Sequence, residues 1–491
     1  MSSQPPHRLQ REDARNNRFL ATVFLIAGMV LSGGLLASTG RWSMRIEPDS
    51  RSYLDFDWTS WQGILGGIRT PGYPCIVRAT EWTLGRDALP IVHWGLMVVA
   101  VLVLASGLRR YGFPAVAAAC SSLPLLFSKT LWDHGASVAT DAPAVSMAII
   151  SLGCLLWILA DPKRWLPWIG FAGACFATLM IRPAYLYLTV WLPILAVWLM
   201  TWSLNRSWSQ IGRTAIGVAL AATLPLAGYA TCRWFTLDQF GYVSFAGYNL
   251  IGITGQWVEQ DDLPKLTQDV RPLAERMIAR RADEPQYQPP SSYEAMVDCF
   301  NPTVWKLADP ACKELFGEDI TQSNQRLQQL AVQSLKMHPE KYIAWLIANG
   351  RSMLEQILSQ LPTEPSSKLA IVSVLMALLF AITRVSRPLA PKHLPSPAPM
   401  PASQHPVGST DTATESSQFQ TLAWIAFSWL LAKGLLVILV EPALGRYVTA
   451  VAALLPCVVG WIAYHLVCLV LGPLPQHLSN SQSVKDGSRH C

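Results

Sequence analysis

Apolar residues along this chain come in long runs rather than in the alternating or one-sided stripes of water-exposed elements. A helix needs about 20 mostly apolar residues to cross a bilayer. Ten stretches approach that length: 19–39, 89–108, 113–128, 141–160, 165–181, 184–202, 212–233, 367–384, 420–440 and 447–472. Of these, 113–128 and 165–181 are short for a span. The pattern predicts an all-α polytopic membrane protein with about ten transmembrane helices. The first stretch reads as a signal anchor, because its apolar core exceeds that of a cleaved leader and no clear cleavage site follows it.

Composition agrees. Of 491 residues 51% are hydrophobic and 14% charged, whereas soluble proteins carry about 25% charged residues. The net charge of +6 contains no dense basic block, which argues against a nucleic-acid partner. The surplus cations fall instead in alternate loops: Arg8, Arg11, Arg15 and Arg18 before the first run, then Arg109-Arg110, Lys163-Arg164, Arg206 with Arg213, and Arg384 with Arg387. Short loops rich in Lys and Arg stay inside, so these loops and both termini are expected to be cytoplasmic. Residues 40–88, 129–140, the Arg182-Pro183 corner, 234–366 and "EPALGR" at 441–446 are then extracytoplasmic. One loop breaks the rule. Residues 41–88 hold Arg41, Arg45, Arg51, Arg69, Arg78 and Arg86 on the outside, which calls for local carboxylate partners or an anionic ligand.

The organisation follows from these runs. A cytoplasmic tail (1–18) leads into a membrane module (19–233) with an outer loop at 40–88 expected to carry amphipathic helices. A small, mostly helical extracytoplasmic cap (234–366) comes next, then a transmembrane helix (367–387), a linker (388–418), the C-terminal transmembrane helices (419–472) and a cytoplasmic tail (473–491). The linker is rich in Pro, Ser and Thr and is expected to be disordered. In the cap, Ile343, Leu346, Ile347, Leu354, Ile357, Leu358 and Leu361 recur at helical spacing; the helix either lies at the membrane interface or packs under the cap. Most of the ten cysteines sit inside apolar runs. Whether Cys299 and Cys312 form a disulfide is open, and no zinc spacing, Gly-rich phosphate loop, nucleophile elbow or internal repeat is visible.

Candidate chemistry gathers on the expected outer face. Asp49 follows the first run closely, in "EPDSRSY", and Tyr53, Phe56, Trp58 and Trp61 interleave with Asp55 and Asp57. Such aromatics favour the interface, where a carboxylate is partly desolvated. "RTPGYP" at 69–74 reads as a stiff turn, its prolines fixing φ and Gly72 permitting a tight bend. Asp141 opens a span, where burial without a partner is costly. Lys129, Arg182, Arg446 and Arg69 stand opposite these acids and suit a phosphate at headgroup depth. The isolated His93 and His134 read more readily as hydrogen-bonded structural residues than as metal ligands.

The chain resembles the GT-C glycosyltransferase superfamily, in the branch of protein O-mannosyltransferases and lipid A aminoarabinose transferases. The resemblance is carried by Asp49 with Tyr53, "RTPGYP", the Thr140-Asp141 pair, "IRPAYL" at 181–186 and "RYVTAVAALLP" at 446–456. Relatives often show an Asp-Glu pair where this chain has Glu47-Pro48-Asp49, so whether Asp49 or Asp55 is the working acid stays open. The resemblance implies a polyprenyl-phosphate-linked sugar as donor, a lipid, glycan or protein acceptor, and inversion at the sugar carbon. Because phosphate is already a good leaving group, one carboxylate suffices as general base. Asp49 is expected in that role. Arg182, Arg446 and Lys129 would stabilise the departing phosphate, and Asp141 would orient the acceptor or a cation. Tyr53, Asp55, Arg69, Tyr73, His134, Tyr185 and Tyr447 are the further expected substrate contacts. The two acids neither demand nor exclude a divalent metal, and no other cofactor is implied. A bacterial inner membrane is the expected location. The rival readings are a polyprenyl-linked oligosaccharide ligase or polymerase, a transporter or flippase, and a non-catalytic scaffold; deep charges and repeated halves would mark a transporter, and here only Lys433 and His465 look deep.

Overall fold

The computed structural model describes residues 7–204, 206–243, 245–284, 290, 292–317, 320–385 and 410–471, leaving aside the side chains of 7–15, 129–130, 379–385, 410–416 and 471. The expected tail at 473–491 lies outside the described residues, as does the linker from 388 to 409; the helix that follows begins at Thr410.

The described chain is helical, and its one β-like contact is a parallel bridge between Arg45 and Ser137. The first helix, α1 (His7–Ser38), is followed by three helices of the first loop, α2 (Arg51–Leu54), α3 (Trp61–Gly66) and α4 (Gly72–Leu84). The bundle continues with α5 (Leu89–Tyr111), α6 (Ala115–Ser122), α7 (Lys129–Gly135), α8 (Asp141–Ala160), α9 (Trp165–Ile181), α10 (Leu188–Trp202) and α11 (Trp208–Leu237). Six helices form the cap: α12 (Ala246–Thr254), α13 (Arg271–Asp283), α14 (Tyr293–Pro302), α15 (Asp309–Phe316), α16 (Ile320–Met337) and α17 (Pro339–Gln360). The chain ends in α18 (Pro365–Val385), α19 (Thr410–Val440), α20 (Gly445–Val451) and α21 (Leu455–Leu471).

Each of the ten apolar stretches lies on an apolar helix, but not every one is a full span. Among the described residues six helical segments are long and apolar enough to cross a membrane: Asn16–Ser38, Arg86–Tyr111, Asp141–Ala160, Pro183–Trp202, Trp208–Leu237 and Ser417–Val440. The last stretch is two helices bent by 50°, Gly445–Val451 and Leu455–Val470, which together would make a seventh. Ala115–Phe127 and Trp165–Ile181 are shorter. The protein is an integral membrane protein of this all-α kind.

Glycines set how closely some helices approach. A Cβ on Gly107 of α5 would sit 2.5 Å from the Gly153 carbonyl oxygen, and one on Gly153 of α8 would sit 2.8 Å from the Val103 carbonyl oxygen. Small residues matter here because lipid tails give apolar helices no hydrophobic reason to associate, leaving close packing to hold them. "RTPGYP" is not the tight turn expected of it. Pro71 caps α4 and Pro74 lies in its first turn, where a missing N–H costs no helical hydrogen bond. Gly72 has no positive φ; it is needed because a side chain there would collide with the Met180 backbone. That contact seats α4 against the end of α9, two residues before Arg182.

The cap has its own core, built on residues such as Tyr248, Met277, Leu327 and Leu330. Cys299 and Cys312 are both free thiols, and burial pushes the Cys312 thiol up to about 12. Helix α17 carries two apolar stripes rather than one apolar and one polar face. Trp345, Met353 and Ile357 are buried, whereas Ile343, Ile347, Leu354 and Leu358 remain exposed. Beyond α17 a short turn, Leu361–Thr363, leads into the apolar α18.

Gly153→Val is expected to lower the stability of the solubilised protein by about 1–3 kcal/mol, the usual cost of overpacking. A lower melting temperature would report it. Gly212→Ala is the matched control, since nothing lies within 4 Å of a Cβ there.

Candidate active site

The first loop is stitched to the segment that leads into α8. Arg45 N–H donates to the Ala136 carbonyl at 2.8 Å, and Val138 N–H donates to the Arg45 carbonyl at 2.9 Å. The buried Ser50 hydroxyl donates to the Val138 carbonyl at 2.8 Å, and Ser137 donates to Glu47 Oε1 at 3.0 Å. Asp49 and Asp141 are thereby held on one mounting. Several arginines of this loop find local partners: Arg41 pairs with Asp133 at 2.7 Å, Arg86 with Glu81 at 2.7 Å and Arg69 with Asp49 at 3.1 Å. Arg78 instead stacks on Trp58 and Trp82.

Arg182 ends α9 because Pro183 cannot continue the helix. Its guanidinium lies 3.0 Å from Asp141 Oδ1 and donates to the Thr140 hydroxyl at 2.8 Å. Asp141 is 3% exposed and stands in the first turn of α8, where the helix dipole favours a negative charge. Arg182 also lies over the Tyr447 ring, 5.3 Å from its centroid. Arg446 stacks on the same ring at 4.8 Å and donates to the Tyr447 hydroxyl at 2.8 Å. From there Arg446 Nη1 donates to Asp49 Oδ2 at 3.3 Å, while Arg69 holds Asp49 Oδ1. Arg69 in turn donates to the Ser52 hydroxyl at 3.0 Å and lies over the Tyr53 ring at 4.8 Å.

The result is a row of charged groups in which one aromatic ring separates two cations: Asp141, Arg182, the Tyr447 ring, Arg446, Asp49, Arg69. Three guanidinium groups face two carboxylates, so the row carries a surplus positive charge. Burial raises the Tyr53 pKa, against the pull of Arg69 and Arg182; the phenol stays protonated and able to donate at neutral pH.

The other expected residues occupy different places. Tyr73 is buried behind Tyr53, ring edge to face at 4.9 Å. Tyr185 is buried beneath the row. His134 is half-buried on α7, and its influence on Asp141 is electrostatic. The Lys129 side chain lies outside the described residues. Asp55 is exposed and lines a separate open cavity of about 580 Å³ with Ser52, Asp57, Gln62, Arg69 and Thr321. Arg69 is common to that cavity and to Asp49, which makes it the wall between them. Asp49, not Asp55, is the acid gripped by two arginines. Among the described residues no group of three or more His, Cys, Asp or Glu side chains is placed to hold a metal ion.

Lys433 belongs to this neighbourhood although the sequence offered it only as a deep charge. It is 2% exposed, donates to the Ala184 carbonyl at 3.0 Å and sits 4.1 Å from the Tyr185 ring centroid. A single lysine in the apolar run of α19 was the available signal.

Burial ranks the ion pairs. The side chains of Arg182 and Asp141 are 15% and 4% exposed, against 23% and 41% for Arg69 and Asp49. Removing one partner of a buried pair strands the other, a loss of about 3–5 kcal/mol, whereas exposed pairs contribute about 0–1 kcal/mol. Arg182→Ala is therefore expected to depress the melting temperature of the solubilised protein far more than Arg69→Ala, as thermal unfolding of the two variants side by side would show.

No family model and no curated protein matches the sequence. Two solved structures are similar to this one, both of ArnT from Cupriavidus metallidurans. With the structure bound to undecaprenyl phosphate the TM-score is 0.34 at 14% identity, covering 92% of this chain and 78% of that one. With the apo structure the TM-score is 0.30 at 14% identity, covering 90% and 77%. At that level of likeness, what this chain does has to be argued from its own residues.

Proposed function

We propose that this protein is a GT-C-type membrane glycosyltransferase that moves a sugar from a polyprenyl-phosphate-linked donor to an acceptor at the extracytoplasmic face. The observation that carries the reading is the position of Asp49, held between Arg69 and Arg446, with Arg446 and Arg182 on one tyrosine ring. The side chain of Asp49 is 41% exposed, so an acceptor can reach it. The guanidinium groups of Arg182 and Arg446 offer a donor phosphate charge-assisted contacts.

In this mechanism the donor phosphate settles on Arg446 and Arg182 and competes with Asp49 for Arg446. The released carboxylate oxygen takes the proton from the acceptor hydroxyl or amine as that atom bonds to the anomeric carbon. The bond from that carbon to the phosphate oxygen breaks on the opposite side, giving inversion. Charge grows on the departing phosphate, and fixed cations stabilise it without reorganisation. Asp141 acts through Arg182, holding the guanidinium in place. Tyr53 and Tyr447 stand beside the reacting groups, Tyr73 and Tyr185 support them from behind, and Lys129 and His134 remain candidates for contacts with the substrate. The acceptor enters past Arg69, from the cavity that holds Asp55. The alternating basic loops support cytoplasmic termini, and the location we propose is a bacterial inner membrane.

Asp49→Asn is expected to lower transfer by about 10²–10⁴-fold, the usual contribution of a general base, while the protein inserts in normal amounts. The assay follows labelled sugar leaving a polyprenyl-phosphate carrier in membranes that contain either form. Transfer that survives in the Asn variant would exclude Asp49 as the base and favour a ligase that depends on arginines. Cells without the gene should accumulate the lipid-linked sugar, detectable by mass spectrometry.

A further inference from the structure

Arg446 begins three residues beyond a turn that the cap holds in place. Helix α19 ends at Val440, and its last carbonyl groups have no partner within the helix. The partners come from α17. Tyr342 donates its hydroxyl to the Leu439 carbonyl at 2.6 Å, and Gln356 donates to the Ala443 carbonyl at 2.7 Å. Between them stands Asn349, fully buried. Its amide nitrogen donates to the Ile438 carbonyl at 3.2 Å and the Glu441 carbonyl at 2.8 Å. Its amide oxygen accepts from Ala443 N–H at 2.7 Å and from the Tyr293 hydroxyl at 2.8 Å.

A side-chain amide has two N–H donors and one oxygen that can accept twice. Asn349 uses all four. Three of its four partners are backbone atoms of residues 438–443, so this one side chain fixes the course of the turn that leads into α20. No apolar residue could replace it without leaving those buried groups unpaired. Asn349 touches neither Asp49 nor a guanidinium group.

We propose that Asn349 is a positioning residue for the anion site: by clamping residues 438–443 to the cap helix, it fixes the direction from which Arg446 and Tyr447 enter the row of charges. This rests on Arg446 being a phosphate ligand, as proposed above. The cap thereby becomes part of the donor site through the backbone of residues 438–443. Its hold is exerted through the backbone, which is why no charged residue of the cap marks it.

A double-mutant cycle tests the assignment. The probe is farnesyl phosphate, a short polyprenyl phosphate, titrated against the full-length protein in nanodiscs. Asn349→Ala is expected to weaken binding about tenfold, as the loss of a few hydrogen bonds acting through one ligand would. In an Arg446→Ala background the same substitution should change binding less than about twofold, because the group it positions is gone. Equal weakening in both backgrounds, or no weakening in either, would overturn the positioning role while leaving the transferase reading intact. Arg446→Ala with undiminished binding would remove the phosphate-ligand reading itself, and the inference with it. If Asn349→Ala fails to insert, Gln356→Ala and Tyr342→Phe each remove one strap from the same turn and enter the same cycle with the same expected non-additivity.

Discussion

The arrangement depends on a buried ion pair at the junction of two membrane helices. Arg182 ends one apolar helix and Asp141 begins another, and either charge alone would be costly to bury there. Together they are tolerable, with Thr140 taking one guanidinium hydrogen. Everything else at the site is arranged outward from this pair. The Tyr447 ring lies on Arg182, Arg446 lies on the ring, Asp49 meets Arg446, and Arg69 meets Asp49. An aromatic face attracts cations, so the ring can hold two guanidinium groups without a carboxylate between them. Such a pair of cations is a natural seat for an added anion.

Residues far apart in the chain reach this row for local reasons. Pro183 stops α9 where Arg182 must turn aside. Gly72 admits the Met180 backbone, which brings the stretch with Arg69 alongside. The short bridge between Arg45 and Ser137 fixes the first loop against the start of α8. None of these contacts is chemical in the sense of a reaction. Each removes a freedom that the charged side chains would otherwise have.

Much of this was legible in the sequence. Long apolar runs announced the membrane helices, and charges at their boundaries marked Asp49, Asp141, Arg182 and Arg446. Counting residues overstated the full spans, because proline breaks and bends shorten some of the apolar helices. The acid left open between Asp49 and Asp55 could not be chosen from spacing; only the fold shows Arg446, 397 positions from Asp49, reaching the former. Asn349 was invisible for a similar reason. A polar residue on an amphipathic helix looks solvated until the turn it clamps, some 90 residues later in the chain, is seen against it. Gly72 was noticed for the wrong property, conformational freedom, when the need was for space. The apolar pattern of α17 was read as one face because periodicity alone cannot separate two adjacent stripes.

The bridge between Arg45 and Ser137 has a mechanical consequence. It makes the two acids one jaw, since Asp49 and Asp141 ride on segments pinned together. Arg446 belongs to the opposite jaw, the C-terminal turn that the cap grips. The gap between carboxylate and guanidinium therefore depends on two backbone anchors, the Arg45–Ser137 bridge on one side and the Asn349 clamp on the other, as well as on the side chains themselves.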